Sequence, residues 1–281
     1  MTTLTDVELA DIEKANATGK TPIVFVHGLW LLPGSWDRWR TFVEEAGFTT
    51  IAPGWPDDPA TVAEANADPT VLAHKGINDI ADHVGAAIEK LTVKPAVIGH
   101  SFGGLLAQIV AGRGLSAATV AIDPAPFQGV LPLPISALKS SAPVLSNPAN
   151  YQRAVPLTYE QFRFAFANAV PEDEAKELYE TYAVPGSGVP LFQAASANFN
   201  PWTQAKVKSK NPDRGPLLIV SGEHDHTVPW SIANASYKRQ RRNVGVTEIV
   251  EIKGVGHSLV IDHRWQDVAQ TALDFVTRFV S

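Results

Sequence analysis

Apolar residues in this chain fall into short unbroken runs separated by stretches with helical spacing. Pro22-Ile23-Val24-Phe25-Val26, Ala96-Val97-Ile98, Ala118 to Ile122 and Pro216-Leu217-Leu218-Ile219-Val220 are continuous rather than alternating. Such runs mark strands covered on both faces. Thr49-Thr50-Ile51-Ala52-Pro53 reads as a further strand, stopped by the turn-rich Gly54-Trp55-Pro56-Asp57-Asp58-Pro59. Val246 to Ile252 alternates, as an edge or half-exposed strand does. Between these runs the period changes. Trp36, Trp39 and Val43 share one helix face, with the tryptophans expected in the core, and Ile77, Ile80, Val84, Ile88 and Leu91 predict a helix of several turns. A helix follows the Ala96 strand, and a last one begins near Arg264, covering the sheet with Val268, Leu273, Phe275 and Val276. Strands and helices alternating through short connections predict an α/β fold with a mostly parallel central sheet flanked by helices.

Two stretches break the pattern. Residues 1–20 are polar with weak helical character and read as a surface arm. From 127 to 206, prolines at 132, 134, 143, 148, 156, 171, 185, 190 and 201 punctuate short aromatic-rich helical runs such as Tyr159 to Phe166, with no sheet strand evident. A segment of roughly 80 residues is too long for an ordinary connection.

Composition narrows the class. A chain of 281 residues with 45% hydrophobic content can bury one large core. A net charge of −6 and a pI of about 5.7 give no long-range attraction for nucleic acid or an anionic membrane. Lys206, Lys208 and Lys210, and Lys238-Arg239 with Arg241-Arg242, read as solvated faces. The absence of cysteine excludes disulfides and thiolate catalysis. The N-terminus carries no basic region followed by an apolar run, and no segment reaches the roughly 18 apolar residues of a membrane span. A soluble, cytoplasmic protein is expected.

The candidate chemistry centres on Gly99-His100-Ser101-Phe102-Gly103-Gly104, between the Ala96 strand and the helix after it. A serine at a sharp strand-to-helix turn needs neighbours without a Cβ, because chain and helix would otherwise collide. The turn pushes the hydroxyl outward, and the amide of Phe102 at the helix start faces the same space, where it could hold a developing oxyanion. Serine is a poor nucleophile unless a base lies within hydrogen-bond reach. His257, on the glycine-rich loop Gly254-Val255-Gly256-His257-Ser258, is the candidate base. His224 and His226 lack the spacing of a zinc site, and the Gly99 turn lacks the Lys-Ser/Thr ending of a phosphate loop. No metal and no cofactor are expected.

Gly99-x-Ser101-x-Gly103 in this setting resembles the nucleophile elbow of the α/β-hydrolase superfamily, in the form of a serine esterase or lipase. The resemblance implies that Gly222-x-x-Asp225-x-x-Val228-Pro229 carries the acid, Asp225, which completes a Ser101, Asp225, His257 triad in the family's chain order. Glu223 and Asp123 compete for that role, the latter reading as a structural turn because of Pro124 and Pro126. It also implies a second oxyanion donor, the amide of Leu29 after His27-Gly28, with the His27 side chain bonding nearby loop backbone. Residues 1–126 and 207–281 would form the hydrolase core, and 127–206 a helical cap of the same folding unit, inserted after the sixth strand.

The expected activity is hydrolysis of a carboxylic ester or lactone of a small, mostly apolar substrate through an acyl-enzyme on Ser101. Serine at 101 disfavours the aspartate-dependent dehalogenases and epoxide hydrolases of the superfamily. Ser258 stands where hydroxynitrile lyases tend to place lysine. Leu29 stands where cofactor-free perhydrolases commonly carry tryptophan, and Ser258-Leu259-Val260 lacks the tryptophan common in C–C hydrolases. Two alternatives stay open: a ligand-binding or signalling module with residual turnover, and a C–C hydrolase or perhydrolase using the same elbow. The expected partner is a small ester-like molecule, and oligomeric state is left open.

Overall fold

A computed structural model describes residues 3–280. Six strands form one sheet in the order β2-β1-β3-β4-β7-β8, every pairing parallel. In chain order the elements are α1 (Asp6–Thr18), β1 (Pro22–Val26), α2 (Asp37–Glu45), β2 (Thr49–Ile51), α3 (Val62–Ala67), α4 (Ile77–Glu89), β3 (Ala96–His100), α5 (Phe102–Gly112) and β4 (Ala118–Ile122). There follow α6 (Ile135–Leu145), β5 (Ala154–Val155), α7 (Tyr159–Ala165), α8 (Glu172–Tyr182), β6 (Gly186–Ser187) and α9 (Gly188–Ala195). The sheet then resumes with β7 (Leu217–Gly222), α10 (Trp230–Gln240), β8 (Thr247–Ile252) and α11 (Trp265–Val276).

Every residue of β1, β3, β4 and β7 is buried, as the unbroken apolar runs require for strands covered above and below. β8 lies at the sheet edge and is half-buried throughout, which its alternation anticipates. Trp36 stacks on Phe25 of β1 at 5.0 Å, and Trp39 meets Phe25 edge-on at 6.2 Å. Both tryptophans belong to the core. The Trp39 indole also donates to the carbonyl of Val260 at 2.9 Å, and Arg38 donates to that of Ile261. Helix α2 therefore holds the loop that follows His257.

Three expectations need correction. Within the expected surface arm, residues 3–20 are packed on the body: Thr5 and Glu8 form a reciprocal capping box, and Ile12 and Ala15 are buried. Glu8 also accepts from His83 at 2.8 Å and from the amide of Gly54 at 3.1 Å, which pins α1 to the body. The long insertion follows the fourth strand, β4, rather than a sixth, since only β1, β2 and β3 precede it in the chain. It also contains strand: β5 and β6 pair antiparallel over two residues each, too few for an alternation to show in sequence. Among the described residues no helix is long and apolar enough to cross a membrane.

Trp39→Ala should destabilise the protein by about 3–5 kcal/mol, the range for deleting a large buried aromatic. Urea unfolding followed by circular dichroism measures it.

Candidate active site

Ser101 occupies the single residue between β3 and α5, at φ 57° and ψ −119°. A non-glycine residue pays steric strain there, so the surroundings must over-determine it. They do so through backbone bonds. The Ser101 amide donates to Ile122 of β4 at 2.9 Å, and its carbonyl accepts from Gly104 and Ala125 at 3.0 Å each. The flanking glycines allow the close approach: a Cβ on Gly99 would lie 2.0 Å from the carbonyl oxygen of Gly103, and one on Gly103 would lie 2.0 Å from that of Val26.

His257 reaches this corner from the loop after β8. Its Nε2 lies 3.0 Å from Ser101 Oγ and its Nδ1 lies 2.6 Å from Asp225 Oδ2. An ionised carboxylate only accepts, so Nδ1 carries the hydrogen, and a neutral ring then keeps its Nε2 lone pair for the serine proton. Asp225 sits in the turn after β7, where its Oδ1 accepts from the amides of Thr227 at 2.6 Å and Val228 at 2.8 Å. Burial alone would raise this carboxyl, but the adjacent imidazole and the hydrogen bonds it accepts hold it below the ordinary carboxylate range. The structure thus brings Ser101, His257 and Asp225 into one buried hydrogen-bonded series.

Leu29 and Phe102 flank the serine. A Cβ on Gly28 would lie 2.8 Å from the Ser101 Cβ and 3.4 Å from the Phe102 nitrogen, so the loop carrying Leu29 presses against the elbow. Among the described residues, neither the Leu29 nor the Phe102 amide has a backbone acceptor. His27 bonds the Gly28 carbonyl at 2.9 Å, as expected, and also Asp58 at 3.0 Å. Both ring nitrogens are thereby committed to loop structure.

The competing acids separate clearly. Glu223 is bound to Lys253 at 2.9 Å and to the Gly254 amide at 2.9 Å, away from His257. Asp123 lies in the bend after β4, where its prolines suggest a structural turn. It is fully buried, with Oδ2 lying 3.9 Å from His257 Nδ1. His100 is a further buried group that sequence reasoning passed over; its ring centroid lies 4.6 Å from that of His257. Phe166 covers the other side of His257 at 4.8 Å, and Trp30 meets Phe166 edge-on at 6.0 Å. The signals were present: a strand-final Asp, the histidine inside the elbow, and the aromatic run of the insertion.

Donor atoms of His100, Asp123 and His257 lie within 4.8 Å of one another. His257 Nδ1 is already committed to Asp225, which leaves two donors where a zinc site uses three or four. His226 bonds the Phe164 carbonyl at 3.0 Å, and His224 is exposed. The arrangement is suited to proton transfer at a serine hydroxyl.

A parallel sheet with a serine, an imidazole and a carboxylate in series at the carboxyl ends of its strands defines a hydrolase-type scaffold. The chain belongs to the alpha/beta hydrolase family, whose model matches residues 23–271. No curated protein sequence matches it. Solved structures with the same fold include the monoacylglycerol lipase of Paleococcus ferrophilus, 20% identical over 92% of this chain and 94% of that one, with a TM-score of 0.64. An extracellular α/β-hydrolase from a Paenibacillus species, described as sharing structural and functional homology with tobacco salicylic acid binding protein 2, is 19% identical over 91% and 98%, with a TM-score of 0.66. A mutant of polyneuridine aldehyde esterase is 17% identical over 90% and 98%, with a TM-score of 0.65.

Gly99→Ala should prevent accumulation of folded protein, because its Cβ meets backbone rather than a movable side chain. Gly34→Ala, whose nearest new contact is Asp37 Oδ2 at 3.7 Å, should leave the melting temperature near wild type. Soluble yield and thermal melts of the two variants compare them directly.

Proposed function

We propose that the protein is a serine hydrolase acting on a carboxylic ester or lactone. The observation that carries this reading is the 3.0 Å contact between His257 Nε2 and Ser101 Oγ, with Nδ1 held by Asp225 at 2.6 Å. Ser101 Oγ attacks the acyl carbon as its proton passes to His257 Nε2. Asp225 fixes the tautomer and stabilises the imidazolium. The tetrahedral oxyanion is held by the amides of Leu29 and Phe102, and the departing alcohol takes the proton back from His257. Water, activated by the same imidazole, then releases the acid from Ser101. No cofactor enters these steps.

Residues 127–206 act as a cap in this reading. Ser101 is only 4% exposed, and the aromatic side chains of Phe166 and Phe162 lie over the imidazole side of the site. An apolar covering favours an apolar acyl or alcohol group over a charged one. The lipase and the esterase among the structural neighbours support ester chemistry.

Ser101→Ala should abolish turnover of a p-nitrophenyl ester, and an organophosphonate should label Ser101 alone in peptide mapping. Asp225→Asn should lower kcat by about 10⁴, the loss seen when a triad carboxylate is replaced by its amide in a serine protease. Full activity in Ser101→Ala would overturn the assignment.

A further inference from the structure

Asp123 is the one buried acid beside His257 that the proposed steps leave unused, and its hydrogen bonds are unbalanced. Its Oδ1 accepts from the amide of Gly222 at 2.8 Å. Its Oδ2 is buried and has no donor among the described residues. The titratable groups facing it are Asp225 from the β7 turn, His257 from the β8 loop and His100 from β3. His257 Nδ1 is 3.9 Å away and already directs its hydrogen at Asp225. Asp225 Oδ2 and Asp123 Oδ2 lie 2.6 and 3.9 Å from the same His257 nitrogen, so the two buried carboxyls share one corner of the ring. Two buried carboxylates this close, with one ring hydrogen between them and no donor for Asp123 Oδ2, cannot both stay ionised; one of them must hold a proton.

The surroundings decide which. Asp225 accepts from two amides and an imidazole, whereas Asp123 accepts from one amide. We propose that Asp123 is a positioning residue that keeps its own proton and donates it as a hydrogen bond to the Asp225 carboxylate, so that a neutral acid, not a second anion, backs the imidazole. Burial, and after it the charge of Asp225, push the Asp123 carboxyl well above the ordinary range. Burial and then His257 push the His100 ring well below its usual value, so no cation stands ready to hold Asp123 as an anion. The backbone agrees: Asp123 sits at φ 40°, a strained angle for a side-chain-bearing residue, which places its carboxyl in this cluster at a conformational cost. The consequence for turnover rests on the serine-hydrolase reading; the protonation state does not.

Asparagine is the informative replacement, since its amide can still donate to Asp225 and accept from Gly222. Difference infrared spectra at pH 7 should show a protonated-carboxyl C=O stretch in wild type that is missing in Asp123→Asn. Stability gives an independent sign. Unfolded aspartate ionises near pH ~3.9 while folded Asp123 keeps its proton, so this group lowers wild-type stability as pH rises above that value. The melting temperature of Asp123→Asn minus that of wild type should therefore increase from pH 4 to pH 8. In kcat/KM the lower limb of the Asn profile should overlay wild type, whereas deleting a true anion would move it about one unit toward lower pH. Asp123→Ala, which keeps neither bond, should lose about tenfold in kcat with KM little changed. An unchanged carboxyl band in Asp123→Asn, a falling melting difference or a displaced limb would each overturn the proposal. If the hydrolase reading itself failed, activity would survive Ser101→Ala, while the band and the melting difference would still report on Asp123.

Discussion

The structure depends on one contact between side chains from distant parts of the chain, the hydrogen bond from Ser101 to His257 across 156 positions of sequence. Neither partner can be placed alone. The serine needs a left-handed corner that only a crowded strand-to-helix junction enforces, and the histidine needs a loop held on both sides. Helix α2 holds that loop through the Trp39 bond to Val260, and the insertion holds it through the amide of Ser258 and the carbonyl of Phe166 at 3.0 Å. In a buried setting such polar contacts are electrostatically strong, and leaving any partner unmade is costly. The site is therefore stable only as a complete set, which makes the unpartnered atoms of His100 and Asp123 informative rather than incidental.

The parallel sheet supplies the shared origin. β3, β7 and β8 all run in one direction, so the ends that carry Ser101, Asp225 and His257 emerge on the same edge. β4 lies between β3 and β7, and Asp123 follows its last residue. A second acid behind Asp225 is thus a direct consequence of strand order: the carboxyl end of β4 can reach nowhere else but the gap between serine strand and acid strand.

Most of this was legible in sequence where the side chains obey a period. The buried strands announced themselves by continuity, β8 by alternation, and the elbow by glycines that nothing but close backbone approach explains. What escaped notice follows equally from physics. Helix α1 has little amphipathic pattern because it is held by a capping box and by Glu8 rather than by a broad apolar face; the Thr5-x-x-Glu8 spacing and the closing Gly19 were its local signals. The β5–β6 pair spans too few residues to have a period. Asp123 looked like a turn former because Asp-Pro usually is one, and only the neighbouring strands, brought in by long-range pairing, convert that turn into a buried carboxyl.

The insertion raises a different point, because it is bonded to the loops that bear Leu29, Asp225 and His257. Trp30, next to Leu29, donates its indole hydrogen to the Val155 carbonyl at 3.0 Å and accepts from the Val184 amide at 3.1 Å. Asn168 donates to the His224 carbonyl at 2.8 Å, and Thr227 donates to that of Ala165 at 2.7 Å, on either side of Asp225. Ser258, next to His257, donates to Phe166. Each such bond contributes about 0.5–1.5 kcal/mol net, because water replaces it when it opens. A handful of them, with the aromatic stack of Phe162 on Phe166 at 5.1 Å, is small beside the core. Breaking them would loosen the loops of Leu29, Asp225 and His257 together, and remaking them would restore all three at once. The placement of the insertion and of those three loops is thereby coupled in this fold.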